Sequence, residues 1–252
     1  MKFTYLLIDF FTVIIPLIFS FHPRIRFYKN WSALFPAIIL TGLIFIGWDM
    51  YFTRLKIWGF NSQYLIGAYI GNLPVEEVLF FLCIPYSCLF TYMCLNVMIK
   101  KSFSKRIEII ISLLLIAISA FMALRFMSNA YTSSAFAVLA VLLFTAQYII
   151  KVSWLPKFYI AYLWLLLPFL IVNGLLTGTG LEAPVVWYNP AHNLNLRILT
   201  IPVEDIFYGM DLILLNIMIY SWLCLKIDQK RKNLNRVYNY TSSAYSQSNI
   251  NS

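Results

Sequence analysis

Hydrophobic residues in this chain run in seven long blocks that are separated by shorter polar segments. Each block is close to the roughly 20 residues that an α-helix needs to cross a bilayer. A backbone in lipid must satisfy its own hydrogen bonds, which favours helices. The pattern therefore predicts an all-α polytopic membrane protein with about seven transmembrane helices. The predicted spans are Phe3–Phe21, Leu34–Tyr51, Pro74–Ile99, Ile107–Phe126, Ser134–Ile150, Phe158–Leu176 and Pro202–Leu225.

Composition agrees with this interpretation and argues against several classes of function. Charged residues make up 12% of the chain, whereas soluble proteins carry about a quarter. The net charge of +9 does not predict nucleic-acid binding, because the basic residues lie between and after the apolar blocks, where they act as topology signals. The four cysteines fall inside apolar blocks without metal-ligand spacing, so no metal site is predicted. No lysine falls within a span, which argues against a retinal Schiff base.

The charges also predict an orientation. Of the 19 Lys and Arg residues, 14 lie in the odd-numbered connections and the tail. The protein is predicted to lie in the cell (inner) membrane. The positive-inside rule then places its N-terminus outside and its C-terminus in the cytoplasm. Eight of the ten acidic residues lie on or toward the outer side. Such a concentration of carboxyl groups at one end of a bundle indicates a site or an unusual surface.

A short phrase occurs twice, at Asn72–Phe81 and Thr200–Tyr208. Each copy has a cap-type residue, then Pro, Val and two adjacent acids at the start of an apolar run, and Pro is typical of the first helical turn. Because the copies open spans three and seven, they predict two parallel three-helix repeats that are joined by a connecting helix. The predicted divisions are 1–100 for the first half, 101–130 for the connecting span, 131–225 for the second half and 226–252 for a disordered basic and polar cytoplasmic tail.

The two acid pairs, Glu76 with Glu77 and Glu204 with Asp205, are the candidate catalytic residues. One acid completes a helix start, where the dipole favours negative charge, but a second acid beside it costs desolvation. Four carboxyl groups that converge in an apolar pocket cannot all ionise, so at least one retains a proton and can act as a general acid. We predict proton transfer by these four residues and leave open which of them donates. The alternative is that they only complete helix N-termini.

Other residues are candidates for substrate binding. Asp49 ends the second span and could instead pair with Arg54, whereas Asp211 lies two turns beyond Glu204 on the same face. The connections before each Pro are long and rich in Trp and Tyr, which predicts a lid at the membrane interface. The abundant aromatic residues indicate either ordinary membrane packing or a cavity whose π-faces stabilise a cation. The substrate-binding candidates are Asp49, Asp211, Trp58, Trp187, Tyr188, Asn189, Phe80, Phe81 and Tyr208.

At these residues the chain resembles the lycopene cyclase domain family. This family comprises integral-membrane carotenoid cyclases of bacteria and archaea, which occur as two small subunits or one fused chain, and which in fungi are joined to phytoene synthase. The resemblance covers about residues 1–225. It rests on Trp48-Asp49, Trp58-Gly59-Phe60, Gly71-Asn72-Leu73-Pro74-Val75-Glu76-Glu77 with Phe80-Phe81, Pro184-Val185-Val186-Trp187-Tyr188-Asn189, and Arg197-Ile198-Leu199-Thr200-Ile201-Pro202-Val203-Glu204-Asp205 with Tyr208-Gly209.

The resemblance implies a fused two-half enzyme of the lycopene β-cyclase type, an intramolecular lyase or isomerase that closes the ends of lycopene or a related linear carotenoid. This chemistry agrees with the acids, because ring closure takes up one proton, passes through a carbocation and loses a different proton. No sequence feature binds a cofactor, although analogy with soluble-type cyclases leaves a flavin open. A proton-coupled transporter, or a non-catalytic partner in a carotenoid assembly, is the alternative, and a homo-oligomer stays open.

Overall fold

The fold is known from a computed structural model, which describes residues 2–99 and 102–248, with side chains as far as Lys232. Seven α-helices dominate this part of the chain. They are α1 (Thr4–Phe19), α2 (Trp31–Arg54), α3 (Val75–Met98), α4 (Lys105–Arg125), α5 (Ala130–Phe144, continued by a π-helical turn at Thr145–Ile149), α6 (Leu155–Leu176) and α7 (Val203–Ser248).

Six of these helices, α2 to α7, are long and apolar enough to cross a membrane. The helix α1 is also apolar but has 16 residues, or about 24 Å of length at 1.5 Å per residue. All seven lie where the hydrophobic blocks predict them. The protein is therefore an all-α polytopic membrane protein, as predicted.

Short β-strands occupy the two long connections, and the sequence did not predict them. The strand β1 (Trp58–Phe60) pairs antiparallel with β4 (Val186–Tyr188), so a strand from each half meets above the helices. Two hairpins precede the repeated helices: β2 (Tyr69–Ile70) with β3 (Leu73–Pro74), and β5 (Arg197–Ile198) with β6 (Ile201–Pro202). The two long connections, which the sequence predicts as a lid, thus contain paired strands.

These hairpins change the expected start of both repeated helices. Pro74 and Pro202 end β3 and β6 and precede the helices, rather than occupying the first helical turn. Asn72 does not cap α3, since its side chain donates to the Met50 carbonyl oxygen. Thr200 instead bonds with the hydroxyl groups of Thr177 and Thr179. The cap-type residues therefore hold the hairpins against neighbouring segments.

The last helix also differs from prediction. The expected disordered tail begins at Lys226, but α7 continues through that residue and ends at Ser248. The side chains from Lys226 to Lys232 are exposed. The final stretch of the predicted tail, 249–252, lies outside the described residues.

The helices pack both within and between the two predicted halves. Within the first half α3 packs against α1 and α2, and within the second half α7 packs against α5. Between the halves, α2 packs against α7, α3 packs against α6, and α3 also contacts α7. The helix α4 packs mainly against α5. The third helix of each half therefore lies at the centre, and the ends that carry the acid pairs adjoin each other.

Candidate active site

A cavity of about 800 Å³ lies between α1, α3, α6 and α7, and β1 and β4 cover one end of it. This volume is within the roughly 300–1,000 Å³ typical of ligand pockets. Its wall is mostly apolar. Its carboxyl groups lie near the strands, where Glu77 from the first half and Asp205 from the second half face the same space together with Asp49, while Thr12, Ser87 and Thr91 line it farther along the helices. All three carboxyl groups are buried.

Asp205, on the first turn of α7, accepts three hydrogen bonds from neutral donors. Tyr131 at the start of α5 donates its hydroxyl to Oδ1. Asn173 near the end of α6 donates to Oδ2 at 2.8 Å, and the Tyr188 hydroxyl donates to the same atom at 2.9 Å. Several hydrogen bonds to an ionised carboxylate favour the ionised form. This site is therefore built for a carboxylate.

Glu77, on the first turn of α3, has different partners. Tyr5 at the start of α1 donates its hydroxyl to Oε2 at 2.6 Å. The carboxyl group of Asp49 lies within hydrogen-bonding reach of Glu77. Asp49 Oδ1 accepts the indole N–H of Trp58, and its Oδ2 accepts from no N–H or O–H donor in the described chain. Two carboxyl groups this close in an apolar site oppose each other's ionisation, so the pair is suited to retaining a proton.

The two clusters are related by the halves of the chain. The first helix of each half supplies a tyrosine from its first turn, Tyr5 or Tyr131, to the second acid of the third helix. The second helix supplies Asp49 in one half and Asn173 in the other. The same arrangement of helices thus holds a pair of carboxyl groups, Glu77 and Asp49, in the first half. In the second half it holds a single carboxyl group, Asp205, that accepts three hydrogen bonds.

Sequence analysis missed Tyr5, Tyr131 and Asn173. The signal that could have found the tyrosines is their matched place, 72 and 74 residues before Glu77 and Asp205. The sequence around each tyrosine carries no local motif that links it to the acid pairs.

The first acid of each pair, Glu76 or Glu204, does not face the cavity. Glu76 Oε1 accepts the backbone N–H of Ile66 at 2.7 Å, and Glu204 Oε1 accepts that of Leu194 at 2.6 Å. Each contact therefore ties a helix to the connection ten residues before it. Thr132 also donates to Glu204 at 2.6 Å. The sequence predicts that Glu76 and Glu204 are catalytic, but their side chains anchor loops. The prediction of proton transfer therefore rests on Glu77 and Asp205.

The predicted substrate-binding residues divide in the same way. The cavity wall includes Asp49, Trp58, Tyr188, Phe80 and Tyr208, and it does not include Trp187, Asn189, Phe81 or Asp211.

The excluded residues have other surroundings. Trp187 lies across from Gly59 in the β1–β4 pair and is partly exposed. Asn189 accepts the Ala191 backbone N–H and so closes a turn. Phe81 packs against Phe45.

Two acids have surroundings that the sequence did not predict. Asp49 pairs with the Trp58 indole, and no ion pair with Arg54 occurs in the described residues. Asp211 is fully buried, and neither of its carboxyl oxygens has a hydrogen-bond partner in the described chain. Its place two turns below Glu204 therefore does not bring it to the site.

Tyr188 interacts with acids of both clusters. It lies in β4, outside the helices, and burial raises the pKa of its hydroxyl well above the ordinary value, with further increases from Asp205 and Glu77. The raised pKa means that Tyr188 keeps its proton and remains a hydrogen-bond donor. Glu77, Asp205 and Tyr188 all line the cavity, so the acids of the two halves share one local environment.

Aromatic rings surround the acids. Trp58 lies 5.1 Å from Tyr131 between ring centroids, and Tyr131 stacks on Tyr188 at 5.8 Å. Tyr208 lies 6.1 Å from Trp58 and from Tyr131. Such π-faces can stabilise a cation in a dry site.

The fold and site define a class: a polytopic α-helical membrane protein in which two related halves bring carboxyl groups into one apolar, aromatic-lined cavity. The sequence profile of one family, described as lycopene cyclase, matches most of the chain, over residues 2–95 and 128–223. The chain belongs to the lycopene cyclase family. The unmatched residues between the two segments, 96–127, include α4.

Two curated fungal proteins are similar over part of their length, and both are named bifunctional lycopene cyclase/phytoene synthase. The protein of Aspergillus oryzae is 30% identical over 67 residues, which is 27% of this chain and 11% of that protein. The protein of Leptosphaeria maculans is 32% identical over 73 residues, or 29% of this chain and 12% of that protein. The chain thus spans about a tenth of the length of these relatives. No solved structure matches it.

Proposed function

We propose that this protein is a carotenoid cyclase that closes the linear end groups of lycopene, or of a related carotenoid, into ionone rings without net oxidation or reduction. The observation that carries the proposal is the pairing of two unlike carboxyl sites in one apolar cavity. The Glu77–Asp49 pair can hold a proton, and Asp205 is arranged as a carboxylate. Membership of the lycopene cyclase family supports the substrate class.

The reaction balances with these groups alone. A proton from the Glu77–Asp49 pair adds to the terminal double bond of the substrate and leaves a tertiary carbocation. The electrons of a neighbouring double bond attack this cation, so a six-membered ring closes and the positive charge moves to a ring carbon. Loss of a proton from an adjacent carbon to Asp205 restores a double bond. One proton enters, another leaves, and no electrons are exchanged.

The direction of transfer follows from the hydrogen-bond partners. Asp205 accepts from three neutral donors, which stabilise its negative charge and disfavour protonation before the reaction. Glu77 has one hydroxyl donor and a second carboxyl group as neighbour. Since two adjacent carboxylates repel each other, this pair retains a proton that it can donate. The pair is therefore the acid, and Asp205 is the base.

The walls of the cavity assist the intermediate. Trp58, Tyr131, Tyr188 and Tyr208 present ring faces around the space between the acids. Cation–π attraction in a desolvated site is worth about 2 kcal/mol or more. The apolar lining also keeps water from capturing the cation, which would give an alcohol instead of a ring.

The finer assignments belong to the same proposal. We assign the protein to the β-cyclase type of isomerase. We also assign it to the cell (inner) membrane, with its N-terminus outside on the basis of the Lys and Arg distribution. The acids then lie toward the outer side. The position of Asp205 beside one ring carbon would decide whether the β or the ε double bond forms.

The test is ring closure in heavy water. The purified protein in lipid vesicles receives lycopene in D₂O, with and without reduced flavin, and products are separated by chromatography and weighed by mass spectrometry. A proton-initiated closure adds one deuterium per ring, because the donated hydron comes from exchangeable carboxyl groups and the lost one comes from carbon. The double variant with Glu77→Gln and Asp205→Asn is the inactive control.

The other outcomes decide between the alternatives. Unchanged lycopene together with proton movement across the vesicle membrane would favour the transporter. Unchanged lycopene without proton movement would favour a non-catalytic partner. Cyclised product without deuterium would retain the cyclase but refute initiation by an exchangeable proton.

A further inference from the structure

The cavity reaches the side of the bundle between α1 and α6. On α1 the residues Leu7, Phe11 and Ile15 line the cavity and are also exposed. They are spaced four apart, so they form one stripe along the helix. Ile171 and Leu175 on α6 likewise line the cavity and are exposed. Because these side chains have the cavity on one side and the outside on the other, the gap between them is an opening.

The packing explains why the opening lies there. The helix α1 packs extensively on α3, and α6 also packs on α3, but α1 and α6 barely touch each other. A gap therefore lies between the two outer helices with α3 as its floor. The lining runs from Thr4 to Pro16 on α1, which is about 18 Å at 1.5 Å per residue. The gap is a slot along the helices rather than a hole at their ends.

We infer that the slot between α1 and α6 is a lateral portal through which a long apolar chain passes from the bilayer, with its end at Glu77 and Asp205. This inference rests on the proposed function. The occupant is a linear polyene, because the carboxyl groups lie at one end of the slot and most of the remaining lining is apolar. A substrate dissolved in lipid then never crosses water, and the part of the molecule not being cyclised stays among lipid chains.

The test is a size series at the portal. The rate of lycopene conversion in vesicles is measured for wild type, Ile171→Ala and Ile171→Trp. The controls are Leu167→Ala and Leu167→Trp. Leu167 lies one turn away on the same helix and is exposed, but it does not line the cavity. A second pair is Ile15→Trp with Ile18→Trp as control. We expect the Trp variants at the portal to convert lycopene at least about tenfold more slowly, the Ile171→Ala variant to match or exceed wild type, and all controls to stay within about twofold.

A second readout separates the portal from the chemistry. The linear polyene retained per protein chain after purification from lycopene-containing vesicles is measured by absorbance, in wild type and variants. Less pigment in the portal variants than in their controls supports the inference even if wild type forms no rings, which would instead refute the proposed function. Equal pigment and equal rates in portal and control variants would overturn the portal. Retention of a lipid acyl chain in place of added polyene would overturn the assigned occupant.

Discussion

The adjacent acids Glu76 and Glu77 give the sharpest test of the site, because the same substitution at neighbouring positions should lower the rate by very different amounts. Glu77→Gln keeps the shape of the side chain, and its amide oxygen can still accept the hydroxyl of Tyr5, which donates at 2.6 Å. It cannot supply a proton as a carboxyl group does. General acid–base catalysis contributes about 10²–10⁴-fold, which corresponds to about 2.7–5.4 kcal/mol at 1.36 kcal/mol per tenfold.

Glu76→Gln changes a different interaction. Its amide oxygen can still accept the Ile66 backbone N–H, so a charge-assisted hydrogen bond becomes a neutral one. Hydrogen bonds to charged groups contribute about 1.5–3 kcal/mol and neutral ones about 0.5–1.5 kcal/mol. We therefore expect a loss of about 1 kcal/mol in the free energy of unfolding and a rate within about tenfold of wild type.

The assay is the initial rate of ring formation in lipid vesicles, followed by chromatography of pigments, with thermal unfolding and elution as a single species to verify the fold. The pair Asp205→Asn and Glu204→Gln repeats the comparison in the second half. Glu77→Gln with a near wild-type rate would remove this residue from proton transfer. A folded Glu76→Gln protein as inactive as Glu77→Gln would refute the division between cavity-facing and loop-anchoring acids.

Three further substitutions test other parts of the structure. Tyr188→Phe removes one donor to Asp205, which makes the carboxylate form less favourable by about 1.5–3 kcal/mol. Fewer molecules then carry Asp205 as a base, so the rate should fall about tenfold or more while the protein stays folded; an unchanged rate would contradict the role of that donor. Gly59→Ala should lower the melting temperature, because the added methyl group overlaps the indole ring of Trp187 on the opposite strand, and overpacking costs about 1–3 kcal/mol. Gly47→Ala, where the added methyl group meets open space, should not lower it; equal melting temperatures for the two variants would refute the clash. Asp211→Asn should retain ring formation, since Asp211 does not line the cavity; loss of activity in a folded variant would place it in the mechanism.

The sequence by itself determined the membrane architecture and the candidate acids. Long apolar blocks dictate helices in lipid whatever their neighbours are, so the positions of α1 to α7 followed from local composition. The acid pairs were visible because carboxyl groups at the start of a hydrophobic span are rare and costly. The repeat also indicated that both pairs lie at the same end of the bundle.

Only the tertiary structure decided what each acid does. Glu76 and Glu77 are neighbours with the same chemistry, but about 100° of helical rotation separates their side chains, so one faces a loop and the other faces the cavity. The partners that distinguish Glu77 from Asp205 arrive from other helices, 72 and 74 residues away in the case of the tyrosines. No local pattern contains those distances, since the packing of α1 on α3 and of α5 on α7 creates them.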